Sequence, residues 1–390
     1  MSPNSAPLTT VSLFSGAMGL DVGMASSGRF APVAAVEAHP DRCESIAANR
    51  DAGRLPGGMA IVDGDVSRLS VDDLLRRTGL GRGGLDVLVG GPPCQSFSTA
   101  GNRGGRDDPR GRLMWDFLRF VEGLLPRAFV IENVPGLVNS DGAAAALTTA
   151  LAGLAGGIYR TDVVHVDAAD HGAPQWRERI VVVGQRVGVP IVLPDATHGD
   201  PMAQSDLFGP PLLPRATLRD ALRGLDRDGD EVLDFSPRKK RWLAKVPAGG
   251  NWRDLSPTDR EASMGAAFHA KGGRSGWWRR LSWDRPCPTL VGSPNHSSTS
   301  LCHPDEVRAL SVREYARIQG FPDDWEFRGT LAERYRQIGD AVPVALGRMV
   351  GLAVATALDA APSAAAPGRT GGVRRLRTAT LGRRRVPERV

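Results

Sequence analysis

The stretch Leu85-Asp-Val-Leu-Val-Gly-Gly-Pro-Pro-Cys-Gln-Ser-Phe-Ser98 decides the fold. Its apolar run, residues 85–89, has the composition of a buried strand. The run stops at the glycine and proline pairs of residues 90–93, which cannot continue a central strand. Cys94 is therefore predicted directly beyond the carboxyl end of a strand, the edge at which open α/β sheets bind their ligands.

Two interpretations of Cys94 remain open at this point. A single free cysteine is most often structural, because free cysteine is among the most buried residue types. However, residues 99–110 follow it as a glycine- and arginine-rich loop, which would close over an anionic substrate. A thiol on a rigid turn beside such a loop is typical of a nucleophile.

Strand-like and helix-like segments alternate through the first half of the chain. Strands are predicted at residues 10–14, 31–36, 59–62, 85–89, 128–131, 159–166 and 179–183, and helices at residues 20–26, 40–49, 70–77, 112–125 and 143–154. Alternation with short connections predicts an α/β fold with a doubly wound, mostly parallel sheet.

The alternation stops near Pro190. Residues 187–304 are rich in Pro, Gly, Trp and Arg, and they predict a smaller, loop-rich second domain. Residues 305–360 return to the first domain, which comprises residues 1–186, with helices predicted at 311–320 and 342–358. Residues 361–390 have too few apolar side chains to order themselves and are predicted to be a disordered basic tail.

The charge of the chain is unevenly distributed. The formal net charge is +6, but residues 361–390 hold eight arginines and one acid, which leaves 41 basic and 42 acidic residues elsewhere. Residues 238–285 hold twelve Lys or Arg against four acids, together with five of the eight tryptophans. Cations contact phosphates and planar side chains stack on bases, so this segment is a candidate nucleic-acid surface. A solvated basic face over a small core is an equal alternative.

We base the expected cellular compartment on sequence patterns for membrane spans, signal peptides and cysteine spacing. We find no apolar run of the roughly 18 residues that a membrane span needs, and the amino terminus lacks the pattern of a signal peptide. The four cysteines are scattered without metal-ligand spacing, so neither a metal site nor a disulfide framework is indicated. We therefore expect the cytoplasm, with reduced thiols and no membrane partner.

Three acidic residues are predicted at strand ends: Glu37, Asp65 and Glu132. A carboxylate that ends the second strand suits ribose hydroxyls. The first turn, Phe14-Ser-Gly-Ala-Met-Gly19, is not a dinucleotide fingerprint, and no phosphate-binding lysine follows it. The pattern is typical of a turn that binds a ligand with a ribose and no pyrophosphate, such as S-adenosylmethionine. This signal is weak, and an ordinary strand–helix turn without a ligand remains an alternative.

The chain resembles the DNA (cytosine-5) methyltransferases from about Val11 to Met349. The matching motifs, in the family's order, are Phe14-Ser-Gly-Ala-Met-Gly19, Gly91-Pro-Pro-Cys-Gln-Ser96, Glu132-Asn-Val134, Gln175-Trp-Arg-Glu-Arg179, Pro288-Thr289-Leu290, Arg313-Glu-Tyr-Ala-Arg-Ile-Gln-Gly-Phe-Pro322 and Tyr335-Arg-Gln-Ile-Gly339. The resemblance implies a Rossmann-like, S-adenosylmethionine-dependent methyltransferase fold. It also implies methylation of cytosine C5 at a specific duplex site, which residues 187–304 would recognise.

The resemblance assigns the catalytic roles to four residues. Cys94 matches the nucleophile that adds to C6 of the cytosine. This addition turns the ring into an enamine, whose C5 atom can attack the methyl group of the cofactor. Glu132 would act at N3 and N4 of the base. Arg179 would hold the O2 edge, and Arg177 the loop and a phosphate.

The same correspondence implies cofactor and DNA contacts. The cofactor would meet Phe14, Gly16 and Gly19 at the first turn, Glu37 at the ribose, Asp65 at the adenine amine, and Pro93 and Asp340 beside them. DNA would meet Gln95, Ser96, Arg103, Arg106 and Thr289, with residues 96–110 closing over a flipped-out cytosine. Two residues depart from the family pattern: Met18 replaces a glycine, and Asp340 replaces an asparagine.

Other functions remain open from the sequence. A tRNA cytosine-5 methyltransferase would use the same chemistry, whereas a catalytically silent relative would only bind DNA. The loop-rich basic segment favours duplex DNA, and the intact Cys94, Glu132 and Arg179 favour an active enzyme. We further expect a monomer in the bacterial cytoplasm, associated with the nucleoid, with a restriction endonuclease for the same site as a possible partner.

Overall fold

The computed structural model describes residues 6–93, 112–138, 141–200, 210–226, 229–269, 276–296, 300–360 and 377–378. Its main sheet contains β1 Leu8–Leu13, β2 Phe30–Glu37, β3 Ala60–Asp63, β4 Val87–Gly90, β5 Ala128–Asn133, β6 Arg160–Asp167 and β7 Glu178–Gln185. The two-residue strand β10, Arg377–Thr378, lies at the β6 edge, and β8 (His198–Gly199) and β9 (Leu213–Pro214) form a separate pair.

The strand order is β10-β6-β7-β5-β4-β1-β2-β3. Adjacent strands within the series β3-β2-β1-β4-β5 are parallel, whereas β7 is antiparallel to both β5 and β6. A parallel crossover needs about a dozen residues or more, usually a helix, and only residues 168–177 join β6 to β7. The predicted doubly wound, mostly parallel sheet is confirmed, with β7 reversed for this reason.

The order of the strands places the crevice of the sheet. β1 lies between β2 and β4, so the direction of chain travel across the sheet reverses there. Ligands of such sheets bind at the carboxyl ends of the two strands on either side of the reversal. Those ends lead into the turn of residues 14–19 and into residues 91–93.

Eleven α-helices lie within the described residues. They are α1 Gly19–Ala25, α2 Pro40–Asp51, α3 Val71–Thr78, α4 Arg112–Leu124, α5 Asp141–Gly153, α6 Leu218–Leu222, α7 Pro237–Leu243, α8 Pro257–Met264, α9 Val312–Gln319, α10 Leu331–Asp340 and α11 Val344–Asp359. Helix α3 has a side-chain cap, since the Ser70 side chain accepts a hydrogen bond from the Asp73 amide. Helix α10 was not predicted as a helix.

Both faces of the sheet are covered by apolar side chains. On one face, Leu88 and Phe129 pack with Phe117 and Phe120 of α4. On the other face, Val89 packs among residues of α1 and α11, including Met24 and Val350. Alternate residues of β4 thus enter opposite cores, as expected for a strand buried on both sides.

Residues Leu331–Asp359, which comprise α10 and α11, are long and apolar enough to cross a membrane by composition. The expectation that no apolar run reaches that length was therefore wrong. However, 72% of the most apolar window is buried inside the protein, where α11 packs against α1. The segment serves as a core helix of the fold.

The loop-rich region has a core of its own, built largely from tryptophans. Trp242, Trp252 and Trp278 are buried, together with Leu243 and Met264. The basic side chains lie over these rings: the Arg253 guanidinium carbon is 5.0 Å from the Trp252 ring centre. Most of the tryptophans that marked a candidate DNA surface are therefore structural, as is typical of a small domain core.

The predicted disordered tail lies outside the described residues except for β10. Arg377 and Thr378 pair in parallel with Val164 and His165 of β6. The edge of β6 offers unpaired backbone groups to these two residues, and the disorder of the tail stays a prediction.

Candidate active site

A carboxylate and a guanidinium meet at the carboxyl edge of the sheet. Glu132 lies near the end of β5 and Arg179 near the start of the adjacent antiparallel strand β7. Arg179 Nε is 2.6 Å from Glu132 Oε1, and the two side chains are 11% and 12% exposed. The pair is enclosed yet reachable, so it can present hydrogen-bonding groups to a base that enters the crevice.

The turn after β4 is fastened against this pair. Asn133 donates a side-chain hydrogen bond of 2.9 Å to the Pro92 carbonyl and accepts one from the Val134 amide. A Cβ atom at Gly91 would lie 3.4 Å from Glu132 Oε2, so the glycine backbone passes close to the carboxylate. The Glu-Asn-Val motif thus holds the Gly-Pro turn with its asparagine while its glutamate faces that turn.

Cys94 follows Pro93, which is exposed. Cys94, Gln95, Ser96, Arg103 and Arg106 lie outside the described residues, so their predicted roles stay predictions. The other three cysteines are buried and free. Burial raises the pKa of the Cys43 and Cys287 thiols to about 12 and that of Cys302 to about 11, so none of the three supplies a thiolate at neutral pH.

Arg177 is bound by backbone carbonyls within the protein. Its guanidinium donates hydrogen bonds of 2.9 Å to the carbonyls of Leu290 and Gly339, and the residue is 2% exposed. Burial, followed by the nearby charge of Arg179, lowers the pKa of Arg177 to about 9. The side chain joins the start of β7 to the loop of residue 290 and to the end of α10, and its expected contacts with the loop and a phosphate stay predictions.

Thr289 lies beside the same strand. Its hydroxyl donates a 2.6 Å hydrogen bond to the Trp176 carbonyl, and the Cys287 carbonyl accepts one from the Trp176 amide. The buried Gln175 side chain accepts a hydrogen bond from the Leu290 amide and also contacts Gln319 of α9. The structure therefore brings Thr289 next to the Gln-Trp-Arg-Glu-Arg motif, with its hydroxyl already bonded within the protein.

The first turn adopts a left-handed backbone at three positions. Phe14 and Gly16 both have φ of 55°, and Met18, the residue before α1, has φ of 63°. Only glycine adopts this region at no cost, which explains why a glycine is usual at position 18 in the family that the sequence resembles. Here Met18 is fully buried, so apolar packing of its side chain offsets the backbone strain.

The residues of the first turn fit S-adenosylmethionine. Nothing lies within 4 Å of the position that a Cβ at Gly16 would occupy, so the turn leaves open space. Glu37 closes that side: its Oε2 accepts from the Gly16 amide at 2.8 Å, and its Oε1 accepts from the Ala38 and His39 amides. The carboxylate is thereby held in place with lone pairs left for ribose hydroxyls.

Two further residues that are predicted to contact the cofactor lie just after β3 and at the end of α10. Asp65 is exposed just beyond β3, where one carboxylate oxygen accepts a hydrogen bond from the Ser67 amide. Asp340 ends α10, and its carboxylate is bound by Arg42 Nη2 at 2.8 Å. Gly19 packs so closely on the chain after α10 that a Cβ would lie 2.2 Å from the Val342 carbonyl.

Sequence reasoning missed several residues of the site. Arg42 and Glu333 form an ion pair between α2 and α10, and Gln319 links α9 to α10. No local pattern marks these contacts, because Arg42 and Glu333 are 291 residues apart in sequence and Gln319 binds the backbone carbonyl of Ile338. Among the described residues, no group of three His, Cys, Asp or Glu side chains is arranged to hold a metal ion.

Comparison with known proteins decides the family. The model of the C-5 cytosine-specific DNA methylases matches residues 8–355. The chain belongs to this family. It is thus a DNA cytosine-5 methyltransferase of the restriction–modification type, with S-adenosylmethionine as its methyl donor.

Curated relatives of this methyltransferase agree. The Type II methyltransferase M.PspPI of Psychrobacter sp. is 36% identical over 365 residues, covering 92% of this chain and 81% of the relative. The Type II methyltransferase M.Sau96I of Staphylococcus aureus is 35% identical over 346 residues, covering 87% and 73%.

Solved structures show the same fold. A prophage-encoded DNA modification methyltransferase of Escherichia coli superposes with a TM-score of 0.62 at 26% identity, covering 90% of this methyltransferase and 99% of that chain. The Dnmt2 methyltransferase of Schizosaccharomyces pombe superposes with a TM-score of 0.58 at 16% identity, covering 90% and 99%. The second likeness concerns the fold alone.

Proposed function

We propose that the enzyme methylates a cytosine flipped out of duplex DNA through a covalent bond between Cys94 Sγ and cytosine C6. One observation carries the proposal: the Glu132–Arg179 pair, joined at 2.6 Å, lies against the Gly91-Pro92 turn that leads directly to Cys94. The remaining thiols of the chain are buried, which leaves Cys94 as the cysteine able to react.

The proposed reaction begins at the thiolate. Its electron pair forms the S–C6 bond while the C5–C6 double bond shifts its electrons toward C5 and N3. Glu132 donates a proton or a hydrogen bond at N3, and its second oxygen accepts from the N4 amine. Arg179 orients this carboxylate through Nε and offers further N–H groups to the O2 atom of the base.

When bound, S-adenosylmethionine would supply an electrophilic methyl group, whose bond to the sulfonium would break as C5 bonds to its carbon, so that neutral S-adenosylhomocysteine would leave. Glu37, fixed by three backbone amides, would hold the ribose so that the methyl group faces the base. Loss of the C5 proton to water then re-forms the C5–C6 double bond as the C6–S bond breaks. The thiolate of Cys94 is regenerated, and the proton at N3 returns to Glu132.

Access to this pocket requires base flipping. Glu132 and Arg179 are about nine-tenths buried at the base of a crevice, where a cytosine stacked within a duplex cannot reach them. Extrusion of the base costs a few kcal/mol of unstacking, which contacts to the base edge and to phosphates offset. We propose that residues 96–110 close over the flipped base, with Arg103 and Arg106 at phosphates.

The small tryptophan-cored region would read the sequence. Arg253 and Arg285 are exposed there, and neither side chain has a hydrogen-bonding or ionic partner among the described residues. Guanidiniums without an ionic partner are suited to contact phosphates or guanine edges. We further propose that the enzyme acts as a monomer on the nucleoid in the cytoplasm, alongside a restriction endonuclease of the same specificity.

Methyl transfer to two substrates tests the function. We expect labelled methyl from S-adenosylmethionine to enter duplex DNA at one short sequence, which bisulfite sequencing of plasmid from expressing cells would locate. Bulk tRNA serves as the competing substrate. Preferential labelling of tRNA would favour the tRNA-modifying alternative, and binding of DNA without labelling would favour the silent relative.

A further inference from the structure

We propose that Arg42 sets the preference of the enzyme for S-adenosylmethionine over the product S-adenosylhomocysteine, by compensating the carboxylates that surround the cofactor. The inference rests on the cofactor placement proposed above. Arg42 belongs to none of the family motifs in the sequence, and its partners become evident only in the folded chain.

Arg42 lies in the first turn of α2 between two carboxylates of α10. Its Nε is 3.1 Å from Glu333 Oε1, and its Nη2 is 2.8 Å from Asp340 Oδ2. Glu37 is also close enough to act on Arg42 electrostatically. The Arg42 side chain is 16% exposed, so these interactions are only partly screened by water.

Both ends of this network reach the first turn. Glu37 accepts a hydrogen bond from the Gly16 amide at 2.8 Å. At the other end, Val342 lies two residues after Asp340, and its carbonyl would be 2.2 Å from a Cβ at Gly19. The network therefore reaches the first turn at two points, Gly16 and Gly19.

The two forms of the cofactor differ by one charge. S-adenosylmethionine carries a sulfonium, an ammonium and a carboxylate, a net of +1, whereas S-adenosylhomocysteine has lost the sulfonium charge and is neutral. The charged groups of the network are the carboxylates Glu37, Glu333 and Asp340 against Arg42 and Arg336, with His39 beside Glu333. Loss of Arg42 makes this set more negative and favours the cationic form.

Asp340 adds a negative charge to the network, which the positive charge of Arg42 offsets. The family pattern has a neutral asparagine at this position, whereas this chain has a carboxylate that Arg42 neutralises. Arg42 and Asp340 thus act as a compensating pair of opposite sign. Over a separation of roughly 10 Å, one uncompensated charge changes the preference between the two ligands by about three- to tenfold.

Isothermal titration calorimetry with each ligand tests the proposal. The measured quantity is the ratio of the Kd for S-adenosylhomocysteine to the Kd for S-adenosylmethionine. We expect Arg42→Gln to raise this ratio by about three- to tenfold and Asp340→Asn to lower it by a similar factor. The double variant is expected to return to within about twofold of wild type, because its charges again balance.

Two controls separate charge from structure. Arg42→Lys keeps the charge and is expected to keep the ratio. Arg50, paired with Asp51 at 2.9 Å at the far end of α2, is the matched control, and Arg50→Gln is expected to leave the ratio unchanged. Equal weakening of both ligands in Arg42→Gln, or an unchanged ratio in both single variants, would overturn the proposal.

Two further variants distinguish failure of the proposal from misfolding of Arg42→Gln and from a wrong placement of the cofactor. Asp340 is 51% exposed, so Asp340→Asn is expected to fold even where Arg42→Gln does not. An unchanged ratio in Asp340→Asn alone would then overturn the proposal. If Glu37→Ala binds both ligands as tightly as wild type, the cofactor placement itself fails, which is a separate outcome.

Discussion

Met18 shows how two opposed effects are balanced at one residue. Its left-handed backbone costs roughly 1–2 kcal/mol, which a glycine would avoid. Its side chain is fully buried, and removal of a large apolar side chain costs about 2–5 kcal/mol. We therefore predict that Met18→Gly lowers the free energy of unfolding by about 1–3 kcal/mol, measured by urea denaturation. A stabilised variant would mean that backbone strain dominates.

Asp21 is predicted to make stability depend on pH. Burial raises the pKa of its carboxyl to about 7, although the Ser12 hydroxyl donates a 2.9 Å hydrogen bond to it. In the unfolded chain the group titrates near pH 4. Because the folded pKa is the higher one, this contribution to stability is full below about pH 4 and is lost as the pH rises to about 7.

Asp21→Asn removes that titration while its amide oxygen still accepts from Ser12. We compare the variant with wild type at two pH values. Relative to wild type, the free energy of unfolding of the variant is expected to be about 2–3 kcal/mol higher at pH 8 than at pH 5, so the variant gains stability as the pH rises. Denaturation at the two pH values measures the difference. Equal differences at both would show that Asp21 is ionised throughout.

At the level of elements, the contact of α1 with the chain leading into α11 holds the first turn in place. A Cβ at Gly19 would lie 2.2 Å from the backbone carbonyl of Val342, so the helices must separate to accept a side chain. We predict that Gly19→Ala costs about 1–3 kcal/mol of stability and weakens S-adenosylmethionine binding.

Gly153 at the end of α5 is the matched control. A Cβ there has no neighbour within 4 Å, and its φ is −86°. Gly153→Ala is therefore expected to be neutral or to stabilise by up to about 1 kcal/mol, with ligand affinity unchanged. Similar losses in both variants would remove the special role of the Gly19 contact.

The sequence predicted elements well where burial is dictated locally. The apolar runs of β1, β2, β4 and β5 follow from the demand of a doubly covered sheet, and all four strands are present. Helix α10 escaped prediction because its buried face includes Glu333 and Gln337, which are 3% and 1% exposed. Their partners, Arg42 and Ser45, lie on α2, and no local periodicity reveals such a pairing.

In the candidate site, too, the features that a local motif determines were predicted, and those that depend on distant partners were not. Glu132 and Arg179 were predicted from motifs at strand ends, and the sheet register brings them together. The contacts of Arg177 with Leu290 and Gly339 were not predicted, because they are made through backbone carbonyls, which are the same for every residue type. A sequence pattern identifies side chains, so the backbone groups to which a side chain bonds become known only from the folded structure.

At the scale of the whole molecule, charge divides the chain into a nearly neutral body and a basic tail. Deletion of residues 361–390 removes eight arginines and one acid. We predict weaker binding to nonspecific duplex DNA at low salt and a shallower dependence of log K on log salt, with site-specific methylation retained. Fluorescence anisotropy across a salt series measures both quantities, and an unchanged slope would show that the tail does not contact DNA.

The covalent step is the central claim, and one trap tests it most directly. A duplex carrying 5-fluorocytosine at the target site cannot lose a C5 proton, so methyl transfer leaves the enzyme joined to the base. With S-adenosylmethionine present, we predict an adduct that survives denaturing electrophoresis and maps to Cys94 by mass spectrometry. Cys94→Ser is predicted to abolish it, and Glu132→Gln to slow its formation by at least about a hundredfold. Equal adduct yield from Cys94→Ser, or methylation of ordinary DNA by that variant at the wild-type rate, would contradict the account.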